Sequence, residues 1–488
     1  MNPIKKLASQ TVIYGLSQIV GRFVNYLLVP LHTALFSTSE YGINILLYSY
    51  VTFFNVLLTY GMETAFFRFS QKKDNPNQVY STALTSLIST SIFFGIVIWI
   101  FSPQIATAIK IPDYPQYVTY FALIMALDAI SAIPFAYLRQ QNRPIKFAIV
   151  KNINIFTNIL LNLYFLLLCP FVNKKYGINL PFYSGHVHLG YVFIANLVAS
   201  IITIPLLGKE IIAIKRASFN KVLWKEMLIY GLPLMVVGFA GMINETLDRI
   251  IISYVYTDVN EGLRATGIYG ANYKLSILMT LFIQAFRYAA EPFFFNHAKG
   301  SDKRQIYAVV MNYFTIVCLF LFLLVTFYIS IFKHFINEPY WEGLHTVPIL
   351  LLANMFLGMY YNLSIWYKLS DNTNKGALIS LFGAGVTVVA NLVLIPLMGY
   401  TGSAWATFIC YLSMVVMCYL LGAKYYPIPY QVGRFGVYIG VALILFFIVQ
   451  WLNFPPAWWS YVLNGAILIS YTTLTFFYER KHKLVEEF

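Results

Sequence analysis

The sequence predicts an all-α integral membrane protein of about 14 transmembrane helices: two six-helix lobes built as parallel pseudo-twofold repeats, plus two C-terminal helices. Three observations carry this. The chain is 59% hydrophobic and only 11% charged, whereas a soluble surface needs about a quarter of its residues charged. Its apolar runs are long enough to cross hydrocarbon, which takes ~20 residues per helix. Its basic residues alternate between the two ends of those runs. A mean hydropathy of +0.67 agrees.

In chain order the apolar runs fall at about 11–36, 41–67, 79–101, 117–138, 152–172 and 189–208. They continue at 226–256, 267–295, 306–331, 343–367, 376–397, 401–422, 435–454 and 457–478. A β-barrel is excluded because the runs far exceed ~9–11 residues and do not alternate. Lys5 and Lys6 precede the first run as in a signal peptide, but that run is too long for a signal's apolar core of ~7–15 residues, so it reads as a retained span.

Of the 33 Lys and Arg residues, 24 fall at the termini and the even-numbered junctions. Five lie on the opposite side: Lys110, Lys174, Lys175, Arg264 and Lys333. Four lie within spans: Arg22, Arg249, Lys274 and Arg287. Basic loops stay in the cytoplasm, so the sequence predicts both termini cytoplasmic. The membrane also accounts for the net charge of +14 better than nucleic acid would.

A repeat runs through the chain. Ile13-Tyr14-Gly15-Leu16 reappears as Ile229-Tyr230-Gly231-Leu232. Gly42-Ile43 pairs with Gly267-Ile268, Phe66-Phe67 with Phe294-Phe295, and Asn162-Leu163 with Asn391-Leu392. Six spans per repeat is an even number, so both halves enter the bilayer from one side as parallel repeats. This divides the chain into an N-lobe (1–208, spans one to six), a cytoplasmic linker (209–225), a C-lobe (226–425, spans seven to twelve) and a last part (426–488) with spans 13 and 14 and a cytoplasmic tail. Facing lobes would enclose a central cavity that opens to either side.

Ionisable groups within spans cost ~2.5–3.5 kcal/mol to insert and are functional candidates by default. Helix–helix hydrogen bonds and snorkelling are the competing structural readings. Arg22 lies mid-span on a polar stripe with Thr11, Gln18, Asn25 and His32, so Arg22 and Asn25 are expected to line the cavity. The second span carries Thr52, Asn55, Thr59 and Glu63 at helical spacing. The seventh holds Glu245, Asp248 and Arg249, the densest charge cluster, either a self-satisfied pair at i, i+4 or a site of ion coupling. In the eighth, Gln284, Arg287 and Glu291 share a face, while Lys274 lies off it where snorkelling could explain it. Asp128 stands alone as a buried acid. Asn154, Asn158 and Asn162 share a face of the fifth span and read as interhelical glue.

The substrate-binding candidates are therefore Arg22, Asn25, Arg249, Lys274 and Arg287, and the coupling candidates Glu63, Asp128, Glu245 and Asp248. Cations in an apolar bundle suit an anionic amphiphile, because an arginine fork binds phosphate bidentately. No nucleotide-binding loop, HExxH or GxSxG motif is present. Catalytic, metal and cofactor roles are not expected. The cysteines read as buried free thiols, and His186 and His188 as a solvated loop pair.

Several motifs carry a resemblance. They are Tyr14-Gly15-Leu16 through Pro30, Glu40-Tyr41-Gly42, Gly61-Met-Glu63-Thr-Ala-Phe-Phe-Arg68, Asp248-Arg249, Gly267-Ile-Tyr269 with Tyr273-Lys274, and Asn391 through Gly402. Together, over about the first 425 residues, the chain resembles the polysaccharide and oligosaccharide flippases of the multidrug/oligosaccharidyl-lipid/polysaccharide exporter superfamily. The resemblance implies a V-shaped, two-lobed carrier in the bacterial cytoplasmic membrane. It would move undecaprenyl-pyrophosphate-linked oligosaccharide to the outer leaflet for cell-surface polysaccharide synthesis. It also implies coupling to an ion gradient, H+ or Na+, or to the membrane potential. The alternatives are a lipid II flippase, an ion-coupled drug exporter, a membrane glycosyltransferase and a scaffold for envelope synthesis.

Overall fold

The structure is a computed structural model that describes residues 20–21, 23–72, 75–216, 218–296, 303–370, 372–452, 454–455 and 457–481. The described residues are mostly helical, joined by turns and short loops, and contain no strand. Among the described residues, eleven helices are long and apolar enough to cross a membrane. Three shorter apolar helices, Phe23–Leu35, Gly190–Leu206 and Ile277–Tyr288, lie where the sequence analysis sets its first, sixth and eighth spans.

The chain divides into two compact units, Met1–Gly267 and Ile268–Phe488. The first contains α1 (Val29–Leu35), α2 (Thr38–Thr59), α3 (Met62–Lys72), α4 (Pro76–Ile100), α5 (Ser102–Ala108), α6 (Pro115–Gln140), α7 (Pro144–Leu163), α8 (Cys169–Tyr176), α9 (Gly190–Leu206), α10 (Gly208–Ile212) and α11 (Lys221–Val255). The boundary between the units falls inside α12 (Val259–Leu275).

Local chemistry sets the helix ends. Ser37 and Glu40 form a reciprocal capping box at the start of α2. Proline opens α4, α6 and α7, where its missing N–H costs nothing. Span five bulges into one π turn at Tyr164–Leu168. Pro170 follows after Cys169, and its ring cannot fit against the carbonyl four residues back. Span two breaks between α2 and α3, where Tyr60 and Gly61 both take positive φ, 32° and 72°.

Polar side chains stitch the first unit together. His32 Nε2 bonds Asn162 Oδ1 at 3.1 Å, Asn154 Nδ2 donates to Thr203 Oγ1 at 3.0 Å, and Asn158 Nδ2 reaches Asn25 Oδ1 at 3.4 Å. The Asn face of span five is therefore interhelical glue, in contact with spans one and six. Two glycine contacts bring α11 and α12 against α2 and α3. Gly42 meets Leu263 and Gly267 backbone to backbone, and a methyl group on Gly42 or Gly267 would collide with a carbonyl of the other segment. Gly61 meets Gly231 in the same way. Gly42 and Gly267 open the second and eighth spans in the sequence repeat.

The second unit contains α13 (Ile277–Asn296), α14 (Lys303–Phe327), α15 (Ile329–Phe332), α16 (Val347–Leu363), α17 (Ile365–Leu369), α18 (Thr373–Met398), α19 (Tyr400–Tyr425), α20 (Val432–Leu452) and α21 (Trp458–Lys481). Buried Asn391 accepts a bond from Ser403 at 3.1 Å, tying α18 to α19. Buried Glu479 accepts from Tyr438 at 2.5 Å and from Asn312 at 3.1 Å, and lies 3.5 Å from Arg434. That network pins α20 and α21 to α14. An apolar groove of about 750 Å³ runs between α20 and α21.

Gly42→Ala should lower the melting temperature of the detergent-solubilised protein. In an open helix the change adds up to ~1 kcal/mol of stability. Here the backbone contact turns it into a loss of roughly 1–3 kcal/mol. A melting temperature that is unchanged or raised would show that the contact is loose.

Candidate functional site

Within the first unit, helices α2, α3, α6, α7 and α9 surround a polar cavity of about 410 Å³. Asn55, Thr59 and Glu63 line it from span two, so the helical spacing of these residues does put them on one face despite the break at Tyr60–Gly61. Asp128, Ser131 and Arg139 come from α6, Lys151 and Asn154 from α7, and Asn196, Ser200 and Thr203 from α9.

Two carboxylates and two cations share this space but are held differently. Arg139 pairs directly with Glu63 and lies 5.0 Å over the Phe67 ring. Both partners of the pair are open to the cavity, with side-chain exposures of 31% and 41%. The Arg139 Nε is buried and has no hydrogen-bond partner among the described residues. Asp128 sits near the middle of α6 yet is exposed, because it faces the cavity. Its Oδ1 accepts a bond from Ser200 Oγ at 3.0 Å. The Lys151 ammonium lies 4.2 Å over the Phe135 ring and makes no ion pair among the described residues. Asp128 and Lys151 thus face one cavity without touching. A space lined by several polar groups readily holds ordered water, each molecule occupying ~30 Å³, or a small ion.

The other candidates lie elsewhere. Arg22 is outside the described residues, as are Thr11 and Gln18 of its stripe. Asn25 is exposed and bonded to Asn158. On α11, the Arg249 guanidinium donates to the Glu245 carbonyl oxygen at 2.6 Å and comes within 3.6 Å of Asp248, which is buried. The bond expected between the Glu245 and Arg249 side chains thus runs to the Glu245 main chain, and the Glu245 carboxylate is left exposed. In the second unit Arg287 is exposed over the Tyr361 ring at 4.9 Å, and Lys274 is partly buried. The Glu291 side chain is outside the described residues.

Of the nine candidates, the structure therefore brings Glu63 and Asp128 into one cavity. It adds Arg139 and Lys151, which sequence reasoning assigned to a cytoplasmic junction because each lies at the edge of an apolar run. One signal could have found Lys151: it sits three residues before Asn154, on the polar face of α7.

The architecture defines a class, a multi-pass α-helical membrane protein with a transporter fold. The chain aligns with the lipid II flippase MurJ in an inward closed conformation, covering 97% of this chain and 99% of that one at 16% identity, with a TM-score of 0.67. It also aligns with an inward-facing multidrug resistance MATE family transporter of the MOP superfamily, covering 86% and 97% at 11% identity, with a TM-score of 0.61. The eukaryotic MATE transporter AtDTX14 aligns over 86% and 94% at 15% identity, with a TM-score of 0.52. A search of curated protein sequences gives no match. The family model described as "Polysaccharide biosynthesis protein" matches residues 7–298, and the chain belongs to that family.

Two charge networks should respond differently to truncation. The Glu63–Arg139 pair faces the cavity, so Arg139→Ala should change stability by no more than ~1 kcal/mol. Glu479 is only 4% exposed, so Glu479→Ala should cost about 3–5 kcal/mol by stranding its partners. Chemical or thermal melts of the two variants side by side check the contrast, and equal losses would refute it.

Proposed function

We propose that this protein flips an undecaprenyl-pyrophosphate-linked oligosaccharide from the cytoplasmic to the outer leaflet by alternating access, for cell-surface polysaccharide synthesis. Membership of the polysaccharide biosynthesis family carries this reading. The transporter fold and the polar cavity among apolar helices support it. The proposal includes fourteen spans in two lobes, the bacterial cytoplasmic membrane, and both termini in the cytoplasm. The alternation of basic residues supports that orientation.

The anionic pyrophosphate head would be met by the intramembrane cations Arg22, Arg249, Lys274 and Arg287, with Asn25 beside Arg22, while the isoprenoid tail stays in lipid. An ion gradient, H+ or Na+, would act on the cavity of the first unit. Asp128 is the best-placed coupling group there: among the described residues one serine bonds it and no cation pairs with it, and it faces open polar space. Glu63 is already matched by Arg139. Glu245 and Asp248 remain coupling candidates on α11. Neutralising one carboxylate of a coupling site removes a coupling free energy of ~1–3 kcal/mol, a factor of about 5–150. Asp128→Asn should lower transport within that range while the protein still inserts and melts normally. Full transport by this variant would remove Asp128 from the mechanism.

The substrate is tested by mass spectrometry of the lipid-linked sugar pool after depletion, with the leaflet of accumulated species determined. An undecaprenyl-pyrophosphate oligosaccharide held in the inner leaflet supports the reading and names the glycan. Accumulated lipid II instead would assign the chain to peptidoglycan precursor. An unchanged pool, in a strain without a redundant flippase, would favour a drug or cation exporter.

A further inference from the structure

The turn after α5 places a lysine where helices usually end in glycine. Ile111 N–H bonds Ala106 O at 2.8 Å and Lys110 N–H bonds Thr107 O at 3.1 Å, the paired bonds of a Schellman C-cap. Lys110 occupies its left-handed position, with φ at 63°, which a side chain with a Cβ adopts only at a cost. The Lys110 side chain extends to the end of α11. Its Nζ donates to the carbonyls of Ser253, Tyr254 and Tyr256 at 3.3, 3.4 and 3.3 Å, and lies 5.1 Å over the Tyr254 ring. These are the terminal carbonyls that a helix leaves unsatisfied, at the negative end of its dipole. Tyr254 returns the contact, its hydroxyl donating to Ala108 O at 2.6 Å while accepting from Tyr50 at 3.1 Å.

The same region holds the Gly42–Gly267 contact. Leu263 of α12 is buried there in one apolar cluster with Ile43 and Leu46 of α2 and with Ile111. In sequence, α11 and α12 open the second repeat, and α2, α5 and α6 belong to the first. A single cation therefore fastens the start of one repeat to the other at this end.

The partners distinguish this contact from a buried ion pair. Lys146 holds the buried Glu210 carboxylate at 2.6 and 2.7 Å. Lys110 divides one ammonium among three neutral carbonyls at the long end of hydrogen-bond range, and no carboxylate holds it among the described residues. Such a contact closes firmly enough to register and lets go without stranding a buried charge.

We propose that Lys110 is a releasable latch on the outer gate. It holds the end of α11 and the start of α12 against α2 and the α5–α6 turn, and it must let go for the carrier to open outward. The inference rests on the flippase reading and its membrane orientation.

The test is a cysteine at Leu263 in the full-length protein, labelled on intact cells with a membrane-impermeant maleimide. The native cysteines are buried, and protein without the added cysteine supplies the background. Lys110→Ala should speed labelling by roughly tenfold or more, the loss expected for hydrogen bonds to a charged group. Lys110→Arg, which keeps the charge and the donors, should stay protected. Equal labelling of the Lys110→Ala protein and its parent would overturn the latch and leave Lys110 a static helix cap. Should Lys110→Ala fail to fold, Ala108→Cys and Tyr254→Cys joined by a short bis-maleimide provide the second test. Transport must then fall in proportion to the cross-linked fraction, and transport by cross-linked protein would overturn the proposal. Labelling only in everted vesicles would refute the orientation and leave the latch standing. A normal lipid-linked sugar pool would refute the cargo and still allow the labelling result to be read.

Discussion

A polar group placed between helices in this bundle is stabilised only by a partner that the protein itself supplies. Lipid supplies no hydrogen bonds, and an unsatisfied donor or acceptor in an apolar medium costs several kcal/mol. The apolar surface that drives a soluble core gives little here, because helix–helix contact only exchanges one hydrocarbon for another. Helix positions are therefore fixed by close backbone approach and by matched polar pairs. His32 with Asn162, Asn154 with Thr203, and Asn391 with Ser403 each join two helices through one bond. Glu479 gathers three partners and locks α20 and α21 to α14.

The same constraint marks the cavity as different from a stitch. In the stitches, donors and acceptors meet. In the cavity, the Lys151 ammonium rests on an aromatic face, and among the described residues Asp128 accepts from a single hydroxyl. Charges left this loosely held inside a membrane protein add nothing obvious to stability. The neighbouring Glu63–Arg139 pair is matched and stands directly beyond the Tyr60–Gly61 break. Movement of α3 about that break would alter the cavity and the Gly61–Gly231 contact together.

Much of this was legible in the sequence. Apolar runs of ~20 residues announce membrane helices, because hydrocarbon thickness sets their length. The three asparagines of span five share a face at four-residue spacing, and they do bond across helices. Glu63 and Asp128 stood out because a carboxylate within an apolar run is rare. Arg139 and Lys151 did not, since a basic residue at the edge of such a run looks the same whether it faces water or turns into a cavity. Their direction depends on how α6 and α7 pack, which is tertiary information. The break at Tyr60–Gly61 was hidden for a related reason. A single glycine in an apolar run is tolerated within a helix, and only the opposing backbone at Gly231 shows why it is needed here. Arg249 behaved similarly: its i, i+4 spacing offered the Glu245 carboxylate, but its own helix presented a nearer carbonyl.

The glycine pairs clarify what the repeat contributes. Gly42 and Gly267 hold equivalent places in the two halves of the sequence, and they touch each other. A contact between two bare backbones can open with little local distortion. Backbone-to-backbone contact suits that motion because it has no interlocking side chains to disengage. What it lacks is specificity, since two bare backbones hold each other only through short-range dispersion and weak hydrogen bonds. A separate group has to set how long the contact stays closed. The strained Lys110 beside it, reaching across to the end of α11, has the charge and the length to do so.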